Sequence, residues 1–180
     1  MNCEYCEIIS GNQKANIIYQ DDEILAFVKE EVISPGQITV IPIEHLTILE
    51  MVPGKILDKM FTVANKLSMA IFETMGCHGT NIFVENGLGG GQTVPHFSLH
   101  VIPRYENDNL KLNWVPQQVL PEDLENDFIQ IQMNAEGLTI SDEIPSEESE
   151  DIVVDEGDTE VVLKKQDDEN YLLKSLRRRA

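Results

Sequence analysis

The stretch GQTVPHFSLHVIPR, residues 91–104, carries two histidines four apart, His96 and His100, with Ser98 midway between them. Side chains alternate across an extended strand. A strand here places His96, Ser98 and His100 on one polar face, and Phe97, Leu99 and Val101 on an apolar face suited to burial. The stretch follows a loop, Gly87–Gly91, in which only Leu88 interrupts the glycines. Such a loop offers backbone N–H groups and lets a ligand approach closely. Thr93 adds a hydroxyl. Loop and polar face together read as a cradle for an anion such as phosphate. The same residues read equally well as a flexible connection with two surface histidines.

Outward from this stretch the chain is an α+β pattern. Short β-branched or aromatic runs, NIIYQ, EILAFVK and QITVIP, are separated by Asp21-Asp22 and Ser34-Pro35-Gly36, and read as strands. From Gly54 to about Met75 apolar residues recur at three- and four-residue spacing, which predicts a long helix stopped by Gly76. TNIFVE then reads as a strand and VPHFSLHVIPR as another. A shorter helix is expected from Pro121 to Asn134. Strands, helix, strands, helix suggest an antiparallel sheet with helices packed on it.

Composition sets the bounds. A chain of 180 residues holds one domain with a proper core. Its net charge is −19. That charge disfavours nucleic acid and anionic membranes as partners. No apolar run reaches the length needed to span a bilayer, and the N-terminus lacks the pattern of a secretory signal. A cytoplasmic protein is expected. Residues 135–180 form a separate tail, apart from a domain over 1–134. From Ser141 to Asn170 this tail is rich in acidic residues and lacks aromatics, which reads as largely disordered. It ends in YLLKSLRRRA, apolar and then basic.

There are three cysteines, Cys3, Cys6 and Cys77. An odd count argues against a disulfide framework. Cys3-Glu-Tyr-Cys6 is a metal half-site, a redox pair, or two incidental cysteines. A redox pair wants a preceding strand, and none fits before Cys3. A closed zinc site needs two more ligands, which the four histidines, His45, His78, His96 and His100, can supply. Cys77-His78 follows the helix stop directly and reads as incidental.

CEYCEIISG, YQDDEILAF, SPGQITVIPIEH and the segment from Asn86 to Arg104 follow one another in an order that resembles the histidine-triad (HIT) family of nucleotide hydrolases and transferases. The resemblance covers about residues 1–115. It implies a five-stranded antiparallel sheet with one long and one shorter helix, a homodimer, and a nucleotide or other phosphate ligand. The family motif is His-x-His-x-His, and its middle histidine attacks the α-phosphate. Here His96 is the first histidine and His100 the third, while Ser98 stands in the nucleophile's place. Lys29 stands where many members have a ribose-binding acid. Glu85, beside Asn86, stands where many have a phosphate-binding asparagine. Gly91, Gln92 and Thr93 match the ligand-binding positions. Members with structural zinc use a C-x-x-C, the histidine of P-x-E-H and the first triad histidine, which correspond to Cys3, Cys6, His45 and His96.

Three functions follow. The first is a ligand-binding HIT protein with a structural zinc and without the nucleotidyl-histidine step. The second is an active hydrolase in which His100 serves as base toward Ser98 or a water. The third is an interaction protein whose acidic tail engages a protein partner.

Overall fold

The computed structural model describes residues 3–111 and 114–135. The chain forms two compact units, Met1–Leu110 and Lys111–Ala180. The acidic stretch 141–170 and YLLKSLRRRA lie outside the described residues.

The first unit is built on a five-stranded sheet. Its strands are β1 (Asn16–Gln20), β2 (Ile24–Val28), β3 (Ile38–Pro42), β4 (Gly79–Val84) and β5 (Leu99–Arg104). Their order is β1-β2-β3-β5-β4, and every pair is antiparallel. The central strands read as apolar runs because both faces are covered. Ile24, Ala26, Val40, Leu99 and Val101 pack against the long helix α2 (Gly54–Met75), meeting Met60, Val63, Ala64 and Ile71. Leu25, Phe27 and Ile41 turn the other way and pack against a short helix, α1 (Glu4–Ile9), through Tyr5 and Ile8. Gly76 ends α2 with φ 63°, a left-handed conformation that glycine adopts without a Cβ penalty.

Two local readings change. Strand β5 begins at Leu99, not at Val94. Pro95 has no N–H for a ladder. The His96 N–H instead turns back to the Val94 carbonyl at 2.8 Å, and the Phe97 N–H reaches the Leu46 carbonyl at 2.6 Å. The polar face is also buried, with His96, Ser98 and His100 covered rather than at the surface. Helix α1 itself is new: the C-x-x-C lies on its first turn, with Cys3 as N-cap.

Cys77 is buried in the α2 core, and His78 accepts the Glu106 N–H at 3.2 Å, so this pair is structural. Arg104 closes the turn after β5. It holds Asp108 at 2.7 Å and Asn81 at 2.6 Å, and also donates to the Leu110 carbonyl. In the second unit, α3 spans Pro121–Ala135 and Trp114 is exposed. No helix among the described residues is long and apolar enough to cross a membrane.

Candidate functional site

Cys3 and Cys6 come from α1, His45 from the loop after β3, and His96 from the bend before β5. Separated by up to 93 residues, they converge so that their ligand atoms all lie within 4.8 Å of one another. The His96 Nδ1 is 3.6 Å from both sulfurs, and the His45 Nδ1 is 3.1 Å from the Cys6 sulfur. A tetrahedral ion with bonds of about 2.3 Å to sulfur and about 2.0 Å to nitrogen separates those atoms by about 3.6 Å. The donor set therefore fits a divalent metal. His96 is also oriented for it: the Nε2–H donates to the Pro42 carbonyl at 2.9 Å, which leaves the Nδ1 lone pair facing the sulfurs. Burial keeps the His96 pKa low, so the ring is a neutral ligand. Burial, with the Cys3 thiol alongside, pushes the Cys6 thiol up to about 11. A cation in the cluster reverses that preference and favours the thiolate.

Beside the cluster runs a buried hydrogen-bond chain. Ser98 Oγ is 3.2 Å from His100 Nε2. On the far side of the ring, His100 Nδ1 is 3.1 Å from Thr39 Oγ1 and 3.4 Å from the Gln37 side-chain nitrogen. The Gln37 carbonyl oxygen accepts the Ile33 N–H at 2.8 Å, so its amide nitrogen must face the ring. Nδ1 is thereby an acceptor. Burial, helped by the Lys29 charge, lowers the His100 pKa to about 4, so the ring carries one proton at neutral pH. The network assigns that proton to Nε2, pointing at Ser98. Ser98 accepts from His100 rather than giving it a proton. Burial pushes the Tyr5 phenol up to about 12, an effect that Ser98 offsets in part.

The glycine-rich loop differs from its expected role as an open cradle. Leu88–Gly90 forms a single 3-10 turn. The Gly90, Gly91 and Gln92 N–H groups bond to the Gly87 and Leu88 carbonyls. Gln92 staples the turn: its carbonyl accepts the Gly87 N–H, and its amide nitrogen donates to the Thr47 and Val94 carbonyls, each at 2.8 Å. Asn86 accepts the Leu49 N–H and donates to Glu50, both at 2.9 Å. The Glu85 carboxylate lies against Gly91, where a Cβ would meet it at 3.5 Å. Thr93 stays exposed and borders a small cavity of about 200 Å³ with Gly87, Gln92 and Thr47.

A larger cavity, about 470 Å³, opens where α1 meets the β1–β2 hairpin. Its lining includes Ile8, Gly11, Lys14, Ile17, Val28 and Lys29. The Lys29 ammonium sits 5.7 Å from the Tyr5 ring centroid and 3.3 Å from Glu4. Its charge is felt at His100. The cavity carries two cations, Lys14 and Lys29, and one acid, Glu30, in a strongly acidic protein.

The chain matches the HIT domain over residues 10–107. It belongs to the HIT family. Protein hit of Bacillus subtilis is 31% identical over 128 residues, covering 69% of this chain and 88% of that one. An adenylylsulfatase of Arabidopsis thaliana, HINT3, is 33% identical over 109 residues, covering 61% of this chain and 55% of that one. The crystal structure of a zinc-bound histidine-triad protein from Mycobacterium smegmatis superposes with a TM-score of 0.59 at 29% identity, covering 74% of this chain and 98% of that one.

Sequence reading missed Tyr5, Gln37 and Thr39. Tyr5 lay inside the C-x-x-C but attracted no role, since only the fold packs it against Phe27 and His96. Gln37 and Thr39 belong to QITVIP, where strand alternation alone puts them on one face; their partner becomes visible only from the β3–β5 register, Thr39 opposite His100.

Proposed function

We propose that this HIT protein binds a nucleotide or related phosphate ligand, holds a structural zinc through Cys3, Cys6, His45 and His96, and does not carry out the nucleotidyl-histidine reaction. The observation that carries this reading is Ser98 in the middle position, with its oxygen accepting a hydrogen bond from His100 at 3.2 Å. A serine in that tautomeric arrangement is not deprotonated by its neighbour. The zinc-bound relative from Mycobacterium smegmatis supports the metal, and the adenylylsulfatase supports a ligand with an adenylyl group.

The ligand site is the 470 Å³ cavity beside Lys29. Lys14 and Lys29 supply the positive charge that an anionic ligand needs, while Gln92, Asn86 and Gly91 act on loop shape and Thr93 is the exposed hydroxyl of the smaller cavity. A homodimer is part of this reading: β4 is a sheet edge with Ile82 exposed, and Met69 of α2 is exposed as well. Free thiols suit a reducing, cytoplasmic setting. Residues 141–180 are assigned to a protein partner on charge alone.

Calorimetric titration of the zinc-loaded full chain with AMP tests the ligand. Saturable heat near one equivalent per chain is expected, and no heat at millimolar AMP overturns it. A second reading, Ser98 and His100 as an active pair, draws on their hydrogen-bond contact. It requires the opposite His100 tautomer and predicts adenosine phosphoramidate hydrolysis that disappears in His100→Ala.

A further inference from the structure

The glycine-rich loop opens on Asn86-Gly87, the one Asn-Gly pair in the sequence. Such a pair has a chemistry of its own, because no Cβ shields the glycine nitrogen from the asparagine side chain. The Gly87 amide gives its proton to hydroxide, its nitrogen bonds to Asn86 Cγ, and a succinimide ring closes. The Cγ–Nδ2 bond breaks, and ammonia leaves with a proton taken from water. Water then opens the ring at either carbonyl, which leaves aspartate or isoaspartate at position 86. Nothing is oxidised or reduced.

The fold restrains both reacting groups. The Gly87 N–H donates to the Gln92 side-chain carbonyl at 2.8 Å, which keeps the proton on the attacking nitrogen. The Asn86 side chain is held at both ends: its oxygen accepts the Leu49 N–H and its nitrogen donates to Glu50, both at 2.9 Å. Burial adds little protection. Asn86 and Gly87 are half-buried, and Leu88, Gly89 and Gly90 beyond them are exposed. Water and hydroxide therefore reach the pair whenever these hydrogen bonds open locally.

We infer that Asn86-Gly87 is a deamidation site that the Gln92 side chain holds shut. Opening of the Gln92 staple frees the Gly87 N–H and commits Asn86 to a carboxylate. The change is unfavourable for the loop that undergoes it. Asn86 now donates to Glu50, and an acid in its place repels that carboxylate. Glu85, next in sequence, adds a further negative charge against Gly91. A modified loop closes less well than the original, so the conversion is not undone by refolding.

The test incubates full-length wild type, Gln92→Ala and Val63→Ala at mildly alkaline pH, with peptide mapping by mass spectrometry to follow residue 86. Gln92→Ala is expected to convert Asn86 about fivefold faster than wild type or more, as loss of one hydrogen bond to the reacting amide predicts. Isoaspartate among the products marks the succinimide route. Val63→Ala removes methyl groups from the α2 core and leaves the staple intact, so it is expected to convert at the wild-type rate. Equal rates in Gln92→Ala and wild type overturn the inference. So does a Val63→Ala rate as high as that of Gln92→Ala, which assigns the effect to general destabilisation. A free peptide of residues 82–91 supplies the unrestrained rate, and it serves even where Gln92→Ala does not fold. Wild type that converts as fast as this peptide overturns the inference as well. Asn86→Asp, which carries the product charge from the start, is expected to melt about 4 °C below wild type. An unchanged melting temperature contradicts the repulsion from Glu50.

Discussion

The Cys/His cluster and the glycine-rich loop were both candidate sites, and the fold treats them in opposite ways. In the cluster, four residues from three separate segments point their donor atoms at one another. In the loop, the groups that should point outward bond inward: the Gly90, Gly91 and Gln92 N–H groups close on the loop's own carbonyls, and the Gln92 side chain is used up three times over. A metal site is defined by the kind of donor, so residue identity carries much of the information. An anion cradle is defined by backbone groups left unsatisfied, and no residue letter records that.

The largest expected effect breaks the first half of this comparison. Cys3→Ser, or prolonged chelation, is expected to remove the metal and lower the melting temperature by about 10 °C or more, since losing a metal anchor costs on the order of several kcal/mol. Metal analysis alongside calorimetry checks it, and a metal-free wild-type protein of unchanged stability contradicts it. Gln92→Ala probes the second half. It strips three hydrogen bonds from a partly buried staple, for an expected loss of about 1–3 kcal/mol in denaturant unfolding with the zinc retained. A loss below about 0.5 kcal/mol would show that the staple matters little.

The histidine between these regions has a pH signature. His100 titrates near 4 in the fold against an ordinary value of 6.5. The folded state then binds fewer protons than the unfolded state between those values. Its contribution is complete above about pH 6.5 and is lost as pH falls toward 4. Unfolding curves of chelated wild type and His100→Gln, compared across that window, should converge as pH drops. Curves that stay parallel would place the His100 pKa elsewhere. The smallest effect on stability belongs to Lys29→Ala. Its pair with Glu4 is partly exposed and contributes about 0–1 kcal/mol. Its effect on AMP affinity should be larger, on the order of tenfold, as expected for one charge-assisted contact.

Most of the fold was legible in the sequence because periodicity reports it. QITVIP and the 54–75 helix occupy the predicted positions since their apolar residues are the ones the core buries, while NIIYQ forms β1 although all five of its residues are exposed. VPHFSLHVIPR misled at its start. Alternation cannot register that Pro95 and the Leu46 carbonyl redirect the backbone before Leu99. Helix α1 was hidden because six residues are too few for a helical period to emerge. The burial of Ser98 and His100 was invisible for another reason: Thr39 and Gln37, about sixty residues earlier, meet the His100 ring only through tertiary packing.

The account stands most directly on whether Ser98 ended the family's covalent step. Intact-protein mass spectrometry of the zinc-loaded chain, after incubation with adenosine phosphoramidate and an acid-free quench, reads this in one experiment. The unmodified mass alone is expected, with no release of AMP above a protein-free control. An adenylylated protein, lost on Ser98→Ala, would contradict the account and restore this HIT protein to the enzymes.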